Sequence, residues 1–146
     1  MTSRILTALA LVAAVAVTQA PADAAKPKPK PKPITGTYKA TATPDPTSTS
    51  QVTNEQCKPT VPTGVDKHAF TVPAAGTLEV KLFNKLDWSV AVRDAQGNTL
   101  ASADGSLPTT PEATLATFTK RTKVTIDACN FSGEPQVAVS YRFTYK

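Results

Sequence analysis

His68 is the only histidine in 146 residues, so it is the one side chain whose ordinary pKa would let it move protons near neutrality. Hydrolysis by an activated serine would need this imidazole beside a hydroxyl and a carboxylate. His68 instead stands in "DKHAFTV", one step inside a strand-like stretch and in phase with Phe70, and no nucleophile-elbow sequence surrounds any serine. A structural or surface histidine is expected, with no catalytic residues. Asp87, Asp94, Asp104 and Glu112 lie in or beside turn-rich segments. Paired carboxylates can cleave glycosides or hold calcium, which takes about six to eight oxygen ligands. No Asp-x-Asp-x-Asp loop occurs, so these read as solvated acids, and neither a metal nor a cofactor is expected.

Cys57 and Cys129 are the only cysteines. A structural zinc site takes about four ligands, more soft donors than this chain holds. An even pair in an exported protein is most simply one disulfide. It would pin an irregular segment to the end of the "KVTIDAC" strand. Closing a loop of about 70 residues would contribute roughly 4 kcal/mol on the chain-entropy account. Trp88 is in phase with Val90 and Val92 and is expected in the core rather than exposed as a sugar-stacking platform. Tyr141, Phe143 and Tyr145 share one face and should cover the core, and "NFS" at 130–132 fits a glycosylation sequon.

The elements that must position these residues begin with a leader. Arg4 precedes an uncharged apolar run, "ILTALALVAAVAV", and small residues follow in "ADA". A membrane-spanning helix needs about 20 apolar residues, so the run reads as a signal peptide over residues 1–24, cut after Ala24. Export to the extracellular space or cell wall is expected, without stable membrane insertion after cleavage. Residues 25–33 follow as "AKPKPKPKP". Alternate prolines fix φ and remove amide donors, giving a semi-rigid, polyproline-like rod. Its eight Lys-Pro residues span roughly 25 Å. It reads first as a spacer and second as a basic tether, in which Lys26, Lys28, Lys30 and Lys32 touch an acidic surface.

The formal charge of +5 rests on 16 basic and 11 acidic residues. Arg4, the four rod lysines and Asp23 precede Ile34, so the remaining chain carries eleven basic against ten acidic side chains. The high isoelectric point belongs to the rod. No aromatic residue interrupts the lysines, and a nucleic-acid partner is not expected.

Residues 34–146 form one domain, with an irregular N-terminal part over 34–65 and a regular core over 66–146. "TGTYKATA" alternates briefly before the chain dissolves into Pro, Ser and Thr. Period-two alternation then returns in "HAFTV", "GTLEVKLF", "DWSVAVRD", "KVTIDA" and "QVAVSYRFTYK". "TLASA" and "EATLATFT" are weaker strand signals. Turns are expected at "AAG" (74–76), "DAQGN" (94–98), "ADG" (103–105) and "FSGEP" (131–135). The pattern predicts an all-β, jelly-roll-like antiparallel β-sandwich of about 7–9 short strands with one disulfide, or a partly closed barrel.

"HAFTVPAAGTLEVKLF", "LDWSVAVRDAQGNTLASAD" and "KVTIDACNFSGEPQVAVSYRFTY" together resemble the bacterial pre-peptidase C-terminal domain, a secreted β-sandwich. The shared plan is an aromatic strand, a Gly before an alternating strand, an Asp-led strand ending in Asp-x-x-Gly, and a final Tyr-bearing strand. The likeness covers Asp66 to Tyr145. It departs from the family at "KRTKV", which replaces the usual Gly-x-Tyr lead-in. The resemblance implies a non-catalytic accessory or adhesion module whose partner is a cell-envelope polymer, a polysaccharide or a protein. A monomer is expected. The alternative is a secreted protease inhibitor presenting the Pro-rich loop "SLPTTPE" at 106–112.

Overall fold

Each run in which every second residue is apolar becomes a strand with one buried face. A computed structural model describes residues 29–46, 57–83, 87–104 and 112–146. Its strands are β1 (Ile34–Thr41), β2 (Val65–Val72), β3 (Gly76–Phe83), β4 (Asp87–Asp94), β5 (Thr99–Ala103), β6 (Glu112–Phe118), β7 (Thr122–Ser132) and β8 (Gln136–Tyr145). One short 3-10 helix, Pro62–Gly64, precedes β2.

The strands form two four-stranded antiparallel sheets, ordered β1-β8-β3-β6 and β2-β7-β4-β5. Early strands pair with late ones in mirror order: β1 with β8, β2 with β7, β3 with β6 and β4 with β5. The chain is thus rolled up as a long folded ribbon, which is the jelly roll. The sheets remain separate and pack as a sandwich rather than closing into a barrel.

Alternation decides what lies between them. On β3, Leu78, Val80 and Leu82 are fully buried, while Thr77, Glu79 and Lys81 face outward. Val137, Val139 and Phe143 of β8 join them from the same sheet. Val72, Val124, Ile126, Trp88, Val90 and Val92 meet them from the other. Trp88 is 2% exposed, so its phase with the valines placed it correctly. Tyr141 and Tyr145 are half-buried against the same cluster, as their shared face predicts. At Gly76 the backbones approach so closely that a Cβ would run into the Thr144 carbonyl oxygen and the Phe143 ring.

Three boundaries differ from expectation. The part read as irregular over 34–65 opens with a full strand, because β1 finds its partner in β8 along its whole length. β7 runs on to Ser132, so Cys129 lies inside the strand rather than at its end, and "FSGEP" turns only from Gly133. Asn130, the sequon residue, is 1% exposed. Its Nδ2 donates to the carbonyls of Ala42 and Glu134 at 2.9 and 3.1 Å, which leaves the folded protein no accessible amide to glycosylate.

The register can be tested on β3. Leu82→Ala removes buried methyl groups and should cost about 2–5 kcal/mol. Lys81→Ala removes only an exposed pair with Glu79 at 2.8 Å, and should cost less than about 1 kcal/mol. Equal losses in urea unfolding would contradict the inward assignment.

Candidate functional site

The outer face of the β2-β7-β4-β5 sheet is covered where the irregular segment crosses it. Ser89, Ala91, Asp127 and Cys129 point away from the main core yet are buried. Cys57, Ala91, Cys129 and Phe131 form a second apolar cluster there, with Val65 packed on it. The Cys57–Cys129 disulfide forms, with Cα atoms 5.2 Å apart. Cys57 takes a φ of 65°, a left-handed conformation costly for a side chain with a Cβ, so the contacts around it must hold it there.

Arg93 is the principal one. Its Nε donates to Asp127 Oδ2 at 3.1 Å, Nη1 to Thr99 Oγ1 at 2.7 Å and to the Gly97 carbonyl at 3.2 Å, and Nη2 to the Cys57 carbonyl at 2.9 Å. The guanidinium therefore ties β7, the β4–β5 turn and the irregular segment together. Burial pushes the Asp127 carboxyl above the usual carboxylate range, opposed by the Thr125 hydroxyl and by the charges of Lys67 and Arg93. Asp45 fastens the same segment further on, accepting from Thr60 N at 2.6 Å and Val61 N at 3.2 Å. Neither Arg93 nor Asp45 carried a sequence signal, because their partners are remote or irregular in the chain.

The expected site residues are dispersed. His68 stacks face to face on Tyr38, with centroids 4.1 Å apart and planes at 13°, and lies 5.8 Å from Tyr141. It therefore helps close the seam between β1 and β2. Burial, with Asp66 and Asp127 behind it, pushes the Tyr38 hydroxyl upward, so the phenol stays neutral. Asp94 is occupied by its own turn, accepting from Gln96 N, Asn98 N and Asn98 Nδ2, each at 2.9 Å. The Asn98 side chain, with the turn's amides, holds its carboxyl below the usual range. Asp87, Asp104 and Glu112 lie at the opposite end of the sandwich from Asp94, since they open β4, follow β5 and open β6. Among the described residues no group of three His, Cys, Asp or Glu is placed to hold a metal ion.

Lys30 and Lys32 are exposed just before β1. Lys26, Lys28 and the leader lie outside the described residues, as does the 106–112 loop up to Glu112. Among the described residues no helix is long and apolar enough to cross a membrane.

The most ligand-like feature lies where the rod joins the sandwich. A cleft of about 520 Å³ opens at the ends of β3, β6 and β8, lined by Gly76, Thr77, Thr117, Phe118, Thr144 and Tyr145 among others. Thr77 pairs directly with Thr144 on one side and Thr117 on the other. Three hydroxyls thus stand in a row on the outer face of their sheet. Tyr145, the next residue after Thr144, turns to the opposite, core-side face and stands edge-on to Phe143 at 5.1 Å and 82°, so the cleft lies over the end of the sheet with the hydroxyls on one side and the ring on the other. Hydroxyls that both donate and accept, beside an aromatic ring, match the chemistry of a sugar. The lining holds no His, Cys, Ser or acidic side chain, and so not the paired carboxylates by which most glycosidases act. The chain matches no protein-family model and no curated protein.

Two substitutions separate the roles in the Arg93 knot. Arg93→Ala leaves Asp127 buried without its cation and should cost about 3 kcal/mol or more. Asp127→Asn should cost less, because Arg93 keeps its three other acceptors. The pH dependence has a definite sign. The folded protein holds the Asp127 proton to higher pH than the unfolded chain, so this group lowers stability as pH rises from about 4 through the raised folded value. Unfolding measured across that window should show a shallower decline in Asp127→Asn than in the parent.

Proposed function

We propose that this is a secreted, non-catalytic accessory or adhesion module that holds a cell-envelope polysaccharide in the cleft beside its rod. The observation that carries this reading is the cleft itself: threonine hydroxyls on one face of the sheet's end and the Tyr145 ring on the other, with no side-chain carboxylate in its lining. The resemblance to the pre-peptidase C-terminal domain supports an accessory role. The leader supports export, and the rod keeps the domain clear of whatever precedes it. The module acts as a monomer and uses no cofactor.

Sedimentation with the insoluble envelope of the secreting cells tests the reading. The mature protein should pellet with the polysaccharide fraction. The Tyr145→Ala, Thr77→Val double variant should bind at least about tenfold more weakly, a loss equivalent to about one or two hydrogen bonds. Its unfolding should remain a single cooperative transition. Binding unchanged in that variant would remove the cleft from the function. Inhibition of a protease panel by the intact protein would move the function to the 106–112 loop.

A further inference from the structure

The jelly roll sends every connection to one of two ends, and the charges divide with them. At the rod end lie the start of β1, the turns at 73–75, 94–98 and 119–121, and the end of β8. That end carries Lys30, Lys32, Lys120, Arg121, Lys123 and Lys146, all exposed. The side-chain carboxylate in those turns is Asp94, whose oxygens already accept from Gln96 and Asn98. Asp66, Asp87, Asp104, Glu112 and Glu134 lie towards the other end. Lys58 and Lys67, both exposed, lie towards that end too and offset part of its charge, so the domain is polar along its long axis without a clean division of sign. Composition alone assigned the positive charge to the rod; the topology adds a second source beside it.

We propose that this positive pole, which includes Lys30 and Lys32 just before β1, grips an anionic polysaccharide, whose sugar ring enters the Thr77–Tyr145 cleft. The inference rests on the polysaccharide reading above and specifies its ligand. Three features bring the charges to bear on one chain. Lys146 lines the cleft, and Thr119, next to Lys120, lines it too. Ile34 pairs with Phe143, so the rod leaves one strand away from Tyr145, a lateral distance of about 5 Å. The Debye length is about 8 Å at physiological salt, so the cations that act most directly are Lys146 in the cleft and Lys120 beside it, while Lys123 faces outward from the other sheet.

The rim chemistry favours a glycan over the other polyanions. Nucleic acid would need successive aromatic platforms, and the cleft offers one partly exposed ring, that of Tyr145. An anionic membrane would favour a cluster of apolar side chains at the contact, and among the described residues the exposed ones are scattered: Val61 and Phe83 at the opposite end, Leu115 along β6, and only Ile34 and Leu100 towards the rod end.

Titration of the full mature protein with three probes tests the proposal: alginate as a polyuronate, dextran as a neutral glycan, and phosphatidylglycerol vesicles. Alginate should bind and dextran should not. The Lys120→Ser, Lys146→Ser variant should lose about 25-fold for alginate, at about fivefold for each lysine near an anionic surface. Replacing Lys30 and Lys32 with Ser should weaken binding independently, and the two factors should multiply. The charge-matched Lys39→Ser, Lys81→Ser variant, altered away from the pole, should change affinity by less than about twofold. Wild-type affinity in the pole variant, or an equal loss in the charge-matched control, would overturn the proposal. Tighter capture by vesicles than by alginate would transfer the pole to a membrane surface. Dextran binding as tightly as alginate would sink the anionic ligand and leave the polysaccharide module standing. Failure of both glycans would remove both readings.

Discussion

The two sheets share a single apolar layer, and each strand can offer it only alternate side chains. Leu78, Val80 and Leu82 from one sheet and Val90, Val92 and Ile126 from the other are fully buried in it. This requirement fixes the register of all eight strands, because a slip of one residue would turn each buried set outward. Register in turn fixes which side chains are paired on the outer faces. The threonine row of Thr144, Thr77 and Thr117 exists only because Leu78 must meet Phe143. Rolling the ribbon so that β1 meets β8 also sends every connection to one end or the other. The charge polarity of the domain is a by-product of that routing.

The outer faces are treated differently. One is sealed by an irregular segment that has few apolar residues of its own and is held by point contacts: the disulfide, the Arg93 knot and Asp45. These stabilise the segment without a continuous core, as small exported domains commonly require. The other face stays open and carries Thr, Ser and paired charges such as Lys81 and Glu79. Function is therefore sought where the structure leaves polar groups presented in register, at the rod end of the open sheet.

The strands were largely legible in the sequence because their signal is local. Even "TLASA" and "EATLATFT", weak as patterns, form β5 and β6. The disulfide was legible by count. The strand order was not, since β1 and β8 lie at opposite ends of the domain and nothing local announces their pairing. Arg93 escaped notice for the same reason: "AVRDA" reads as a strand running into a turn, and its acceptors come from three other places. Asn130 misled in the opposite direction, its local sequon being overridden by burial. The polar axis needed the topology, because residues 120–123 and 30–32 come to the same end of the sandwich only once the ribbon is rolled.

Amide chemical shifts offer the most direct test of the account, in which the rolled topology makes one end of the sandwich the binding surface. With alginate added to the isotopically labelled mature protein, changes should concentrate in residues 75–77, 117–123 and 144–146 and in Lys30 and Lys32. Residues 61–65 and 133–135, at the opposite end, should stay still. Shifts centred on those opposite-end residues, or spread evenly over both ends, would contradict it.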